Sequence, residues 1–198
     1  LYLLVMKEVK LIIPTEWSDI TIEKYQKYVE IQEGKLSTNR KMIKSLALLC
    51  DTKPTIITKM NHKDLLDIMD VLKKMIDSEP SKDEFKKVFK FNNEEYGFVP
   101  NLNKLSTGEY IDLESYCKEP IKNLHIIMSI LYRKVTYKVN NRYAIEVYDP
   151  DQFKEELFKS CPMDMALGTL GFFLNIGLVL AKNSLHYLKA QEGKQQKA

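Results

Sequence analysis

Apolar residues recur along this chain with two periods, and the switch between them near residue 85 is the plainest guide to its fold. At the start, Lys7 to Ile13 alternates and then runs apolar through Val9, Leu11, Ile12 and Ile13, which predicts a strand closed by Pro14. Helical spacing takes over after the turn that holds Trp17, the single tryptophan. Thr21 predicts a cap for a helix from Ile22 to about Gln32, with Ile22, Tyr25, Val29 and Gln32 on one face and Gly34 as its stop. A second helix is expected from Thr38 through Cys50, with Met42, Leu46 and Leu49 facing one way, before Pro54 breaks the chain. Asn61, with Asp64 three residues on, opens a third. That helix carries Leu65, Ile68, Met69, Leu72 and Ile76 at helical spacing and ends at Glu79-Pro80-Ser81.

From Phe85 the pattern alternates. Asn92-Asn93 supplies a tight turn, and Lys87 to Val99 reads as a β-hairpin ended by Pro100. Ser106-Thr107 then caps a helix GEYIDLESYC, with Glu109 at capping-box distance from Ser106. Asn123 precedes an apolar helix, LHIIMSILYRK, that carries Tyr132 and Arg133 at its end. A second hairpin follows: Val135 to Val139, a turn at Asn140-Asn141, and a return over Tyr143 to Tyr148. A short helix from Pro150-Asp151 to Lys159 precedes Cys161-Pro162 and a long helix from Met163 to about Leu188. The fold class is therefore α+β: a predominantly helical single domain with an N-terminal strand, two small β-hairpins and a long C-terminal helix. The expected division is a core domain over 6–160, the long helix over 161–190 packed on the core or on a partner, and a disordered tail over 191–198.

Composition narrows the class without changing the fold. At 198 residues, 44% hydrophobic and 29% charged, the chain has an ordinary globular make-up and enough length to bury a core. Thirty basic residues against 27 acidic leave a net charge of +3, too balanced for a dedicated nucleic-acid binder. Cys50, Cys117 and Cys161 stand singly, so neither a disulfide framework nor a zinc site is expected, and a reducing compartment is the default. Leu1 to Val5 lacks the features of a secretory signal, and Met6 is read as the initiator.

Three features invite a chemical reading. The uncharged run from Met165 to Ala181 is borderline in length for a membrane span, which needs about 20 apolar residues. Its glycines at 168, 171 and 177 suit close packing in a core, at a subunit interface or in a membrane, and the core or interface reading is preferred. His62, His125 and His186 lie too far apart to suggest a metal site. Glu109, Asp112 and Glu114 form a carboxylate group that a helix entry explains through the helix dipole. No phosphate loop, nucleophile elbow or zinc-protease motif is present, and no cofactor is expected. Arg133 reads either as a cation suited to a helix C-terminus, or as an anchor that pairs with Asp112 or Glu114 inside the fold or with a partner subunit.

Two segments carry a resemblance. Pro14, Trp17, Asp19, Ile20 and Thr21 form the first, and Pro100, Asn101, Thr107, Gly108, Glu109, Tyr110, Ile111 and Asp112 the second. His125, Leu131, Tyr132 and Arg133 complete the pattern. Together, over roughly Lys10 to Val135, it resembles the tail-assembly and baseplate-hub assembly proteins of large tailed bacteriophages, T4-like and crAss-like phages among them. The resemblance implies a non-enzymatic protein acting in the host cytoplasm, or retained in the virion, and binding phage tail or baseplate proteins. Trp17, Tyr110, Asp112, Tyr116, Tyr132 and Arg133 are the expected partner-binding residues. Self-association through the C-terminal helix is a further expected contact, with nucleic acid excluded and a membrane disfavoured. The alternatives are a permanent virion component, such as a head–tail connector or ring protein, and a membrane-associated phage protein.

Overall fold

The computed structural model describes residues 10–78, 85–140, 142–150 and 155–172. They form a helical array packed against one four-stranded antiparallel sheet, an α+β fold. Helices α1 (Ile22–Glu33), α2 (Thr38–Leu49), α3 (Pro54–Lys59) and α4 (His62–Asp77) come first. Strands β1 (Val88–Phe91) and β2 (Glu94–Phe98) follow, then α5 (Thr107–Tyr116), α6 (Leu124–Leu131), β3 (Tyr132–Val139), β4 (Arg142–Ile145) and α7 (Glu155–Lys159). Residues 163–172 form a further helix, α8, and residues 173–188 of the expected C-terminal helix lie outside the described residues.

Local chemistry accounts for several helix starts. The Thr21 hydroxyl accepts from the Lys24 N–H, Asn61 accepts from the Asp64 N–H, and Ser106 shares a capping box with Glu109. Pro54 is the first residue of α3 and not a simple break, because the first helical turn has no use for the N–H that proline lacks. On α4 the core takes Ile68, Leu72 and Met75, whereas Leu66, Met69 and Ile76 stay substantially exposed. The core-facing stripe is thus rotated from the one the sequence pattern suggested.

The expected N-terminal strand does not form over residues 10–13, which pair with nothing among the described residues; residues 7–9 lie outside them. The hairpins, by contrast, are both present and join into one sheet in the order β1-β2-β3-β4. Asn92 and Asn93 turn the first with φ of 48° and 62°, the left-handed pair a two-residue turn requires. β2 pairs with β3 through Tyr96↔Lys134, Gly97↔Arg133 and Phe98↔Tyr132. This pairing ends α6 at Leu131, so Tyr132 and Arg133 open a strand and do not close a helix.

Alternation then divides the sheet. Phe89, Tyr96, Phe98 and Tyr132 face one way, toward Phe158 of α7 and Phe172 of α8. Gly97 and Arg133 face the other, toward Tyr143, Ile145 and the start of α5. Backbone bonds from Ile22 N–H to the Cys161 carbonyl (2.9 Å) and from Met163 N–H to the Ile20 carbonyl (2.7 Å) tie α1 to α8. Ile20, Ile22, Phe158, Cys161 and Met163 consequently share the main core, and burial pushes the Cys161 thiol up to about 12.

Gly97 is required by a close approach. A Cβ there would sit 2.6 Å from the Tyr143 ring and 2.9 Å from Ile145 Cγ2. The ring cannot swing away freely, because the Tyr143 hydroxyl donates to the Phe98 carbonyl at 2.7 Å. Gly97→Ala is expected to destabilise the protein by about 1–3 kcal/mol through overpacking. Urea unfolding measures this, and a variant as stable as the parent would contradict the packing described.

Candidate protein-docking site

Glu109 joins the parts of the site. The Ser106 cap places it in the first turn of α5, where its Oε2 accepts from the Ser106 N–H at 2.6 Å. Its Oε1 meets Arg133 Nη2 at 2.7 Å, with only 7% of the Glu109 side chain and 13% of the Arg133 side chain exposed. One carboxylate therefore closes a helix cap and pins that helix to β3. The expected internal pairing of Arg133 is present, but its partner is Glu109 and not Asp112 or Glu114. Arg133 Nε is buried with no hydrogen-bond partner among the described residues, so the pair is not fully satisfied.

Tyr148 completes the clasp from the strand side. Its hydroxyl donates to Asp112 Oδ2, its ring lies 5.8 Å from the Arg133 guanidinium carbon, and it closes against Gly108. Burial and the neighbouring Asp112 carboxylate hold the Tyr148 phenol well above the ordinary tyrosine range. Cavities of about 380 and 450 Å³ flank this arrangement, and Arg133 and Tyr148 line both.

The six residues expected to bind a partner separate on this frame. Tyr132 is fully buried, its hydroxyl donating to the Lys86 carbonyl at 2.8 Å and lying 3.1 Å from Thr169 Oγ1. Its placement in the core corrects the surface role, because the β2–β3 pairing turns its side chain inward. Arg133 is committed to Glu109, and Asp112 is half-buried under Tyr148. Tyr116 packs against the core. Trp17 is half-buried, edge-on to Tyr25 at 5.8 Å, and donates through Nε1 to the Ser78 carbonyl at 3.1 Å. It secures the end of α4, away from the clasp.

Tyr110 alone of the six has an open side chain, at 60% exposure, and Ile111 beside it is 56% exposed. Ile111 did not figure among the expected residues. Its signal was available in the helix phase: with Glu109, Leu113 and Tyr116 turned inward, residues 110, 111 and 114 must face out. Tyr148 had no comparable local signal, since 36 residues separate it from Asp112. No grouping of three or more His, Cys, Asp or Glu suited to a metal ion occurs among the described residues. None of their helices is long and apolar enough to cross a membrane, and residues 173–181 of the uncharged run lie outside them. Comparisons with protein families, with curated proteins and with solved structures find nothing similar to this chain.

Proposed function

We propose that this protein assists assembly of a bacteriophage tail or its baseplate hub by binding another protein, and that it catalyses no reaction. The observation that supports this reading is the Tyr110–Ile111 pair, an exposed aromatic and aliphatic surface on a helix locked at its first turn by Ser106, Glu109 and Arg133. A rigid helix face loses little entropy on docking, and tyrosine is favoured where binding energy concentrates. The motif residues that carry the phage resemblance build this presentation: Asn101 caps the turn at Leu102–Lys104, and Thr107 to Asp112 form the helix entry. The protein would act in the host cytoplasm while particles are built.

Affinity capture of the tagged chain from phage-infected cells tests the proposal. The native chain should retain a tail or baseplate protein. The Tyr110→Lys, Ile111→Lys double variant should lose it by tenfold or more while melting within about 2 °C of the parent, because exposed substitutions cost little stability. Unchanged retention by the double variant would sink the docking surface. Stoichiometric recovery of the chain in purified particles would instead favour a permanent virion component.

A further inference from the structure

A second cleft lies between α1 and the turn that leads into α6. It encloses about 630 Å³, the largest volume among the clefts described. Gln26 lines it. The Gln26 Nε2 lies 2.9 Å from the Ile121 carbonyl, 2.8 Å from the Lys122 carbonyl and 3.0 Å from His125 Nδ1. The two amide hydrogens are shared among these three acceptors, and because an amide nitrogen does not accept, the geometry favours the tautomer with Nδ1 unprotonated and the proton on Nε2. Burial, and next the Lys159 charge, hold the His125 pKa below its ordinary value, which favours that neutral ring.

Two independent features then point to the same occupant. The first is an unused donor–acceptor pair. Neither His125 Nε2 nor Gln26 Oε1 has a hydrogen-bond partner among the described residues, and neither is sealed from solvent. Both residues line the cleft, where an N–H donor and an amide oxygen can serve the C=O and N–H of a peptide group. The second is the charge at the rim. Lys27 is paired with Glu23 at 2.6 Å, Lys122 with Glu119 at 3.1 Å and Lys159 with Glu156 at 2.5 Å. Glu30 and Glu33 carry no ion pair among the described residues, so the uncompensated charge of the cleft is negative. Val29, Pro120 and Ile121 give it an apolar wall for an aliphatic stem.

We infer that this cleft binds an extended segment of a partner protein that carries lysine or arginine, the peptide group meeting Gln26 and His125 and the cation meeting Glu30 and Glu33. This goes beyond the docking face on α5 and does not depend on the identity of any phage partner. The two surfaces would let one chain hold two proteins, or two parts of one, at once.

Fluorescence anisotropy with a labelled GRGGRG peptide tests the inference on the purified full chain. The expected result is saturable binding below about 1 mM that weakens with added salt, with the matching GEGGEG peptide at least about tenfold weaker. Glu30→Lys with Glu33→Lys should weaken GRGGRG binding at least about fivefold. Both side chains are exposed, and Glu30→Gln with Glu33→Gln supplies the same reading should the reversed pair fold poorly. Asp67→Lys, a charge reversal on α4, should leave binding unchanged, as should the Tyr110→Lys, Ile111→Lys variant. Equal binding of the acidic peptide, no saturation with GRGGRG, or indifference to the Glu30 and Glu33 substitutions would each overturn it.

Discussion

Tyr132→Ala is expected to lower the free energy of unfolding by about 3–5 kcal/mol. The ring is wholly buried where the first β3 residue meets β2, edge-on to Phe89 at 4.9 Å and to Phe98 at 5.3 Å. Deletion would open a cavity under the whole aromatic face. It would also strand the Lys86 carbonyl and take one neighbour from the Thr169 hydroxyl, which stays bonded to the Met165 carbonyl at 2.8 Å. Tyr132→Phe separates these costs, since it keeps the packing and removes the bonds, and should cost about 1–2 kcal/mol. For a chain of this size a loss of about 4 kcal/mol corresponds to roughly 10 °C in melting temperature. Urea unfolding of both variants checks the pair. A Tyr132→Ala variant within about 1 kcal/mol of the parent would place this residue on the surface, as the sequence had suggested.

Arg133→Met should cost about 3–5 kcal/mol, for an electrostatic reason. The arginine is the ion partner of a carboxylate whose side chain is only 7% exposed. Without it Glu109 keeps one bond to the Ser106 N–H and is otherwise a buried charge. The pair itself need not be a net gain over an apolar pair of the same shape, but breaking it from one side leaves the full desolvation cost behind. Arg133→Lys should recover only part of the loss, because an ammonium lacks the planar fork that reaches Glu109 while lying over the Tyr148 ring. The expectation for binding is the opposite. Arg133 is mostly covered, so a folded Arg133→Lys protein should retain whatever partner the native chain captures.

Elements set by neighbours in sequence were legible, and elements set by distant pairing were not. Thr21, Asn61 and Ser106 announced their helices because a cap is a matter of three residues. Asn92-Asn93 announced the first hairpin for the same reason. The end of α6 was misplaced because apolar residues at 124, 127, 128 and 131 continue in helical phase into Tyr132, and only pairing with Phe98 and Gly97 draws Tyr132 and Arg133 into a strand. The rotation of the buried face of α4, with Met75 inside and Met69 and Ile76 outside, follows from what that helix packs on and not from its own spacing. The site divides in the same way. That Arg133 serves an internal carboxylate was one of two sequence readings, but Glu109 already had a sufficient role in the cap, and nothing local showed that its second oxygen was free for a strand. Tyr110 was identified correctly as surface, whereas its neighbour Ile111 becomes evident only once the inward face of α5 is known.

The Glu109–Arg133 pair holds α5 to the sheet and thereby presents Tyr110 and Ile111. A double-mutant cycle on Arg133→Met and Glu109→Gln, read by urea unfolding, tests it most directly. The two single variants should lose far more together than the double variant does, a coupling of about 2 kcal/mol or more. Additivity of the two losses to within about 0.5 kcal/mol would contradict it.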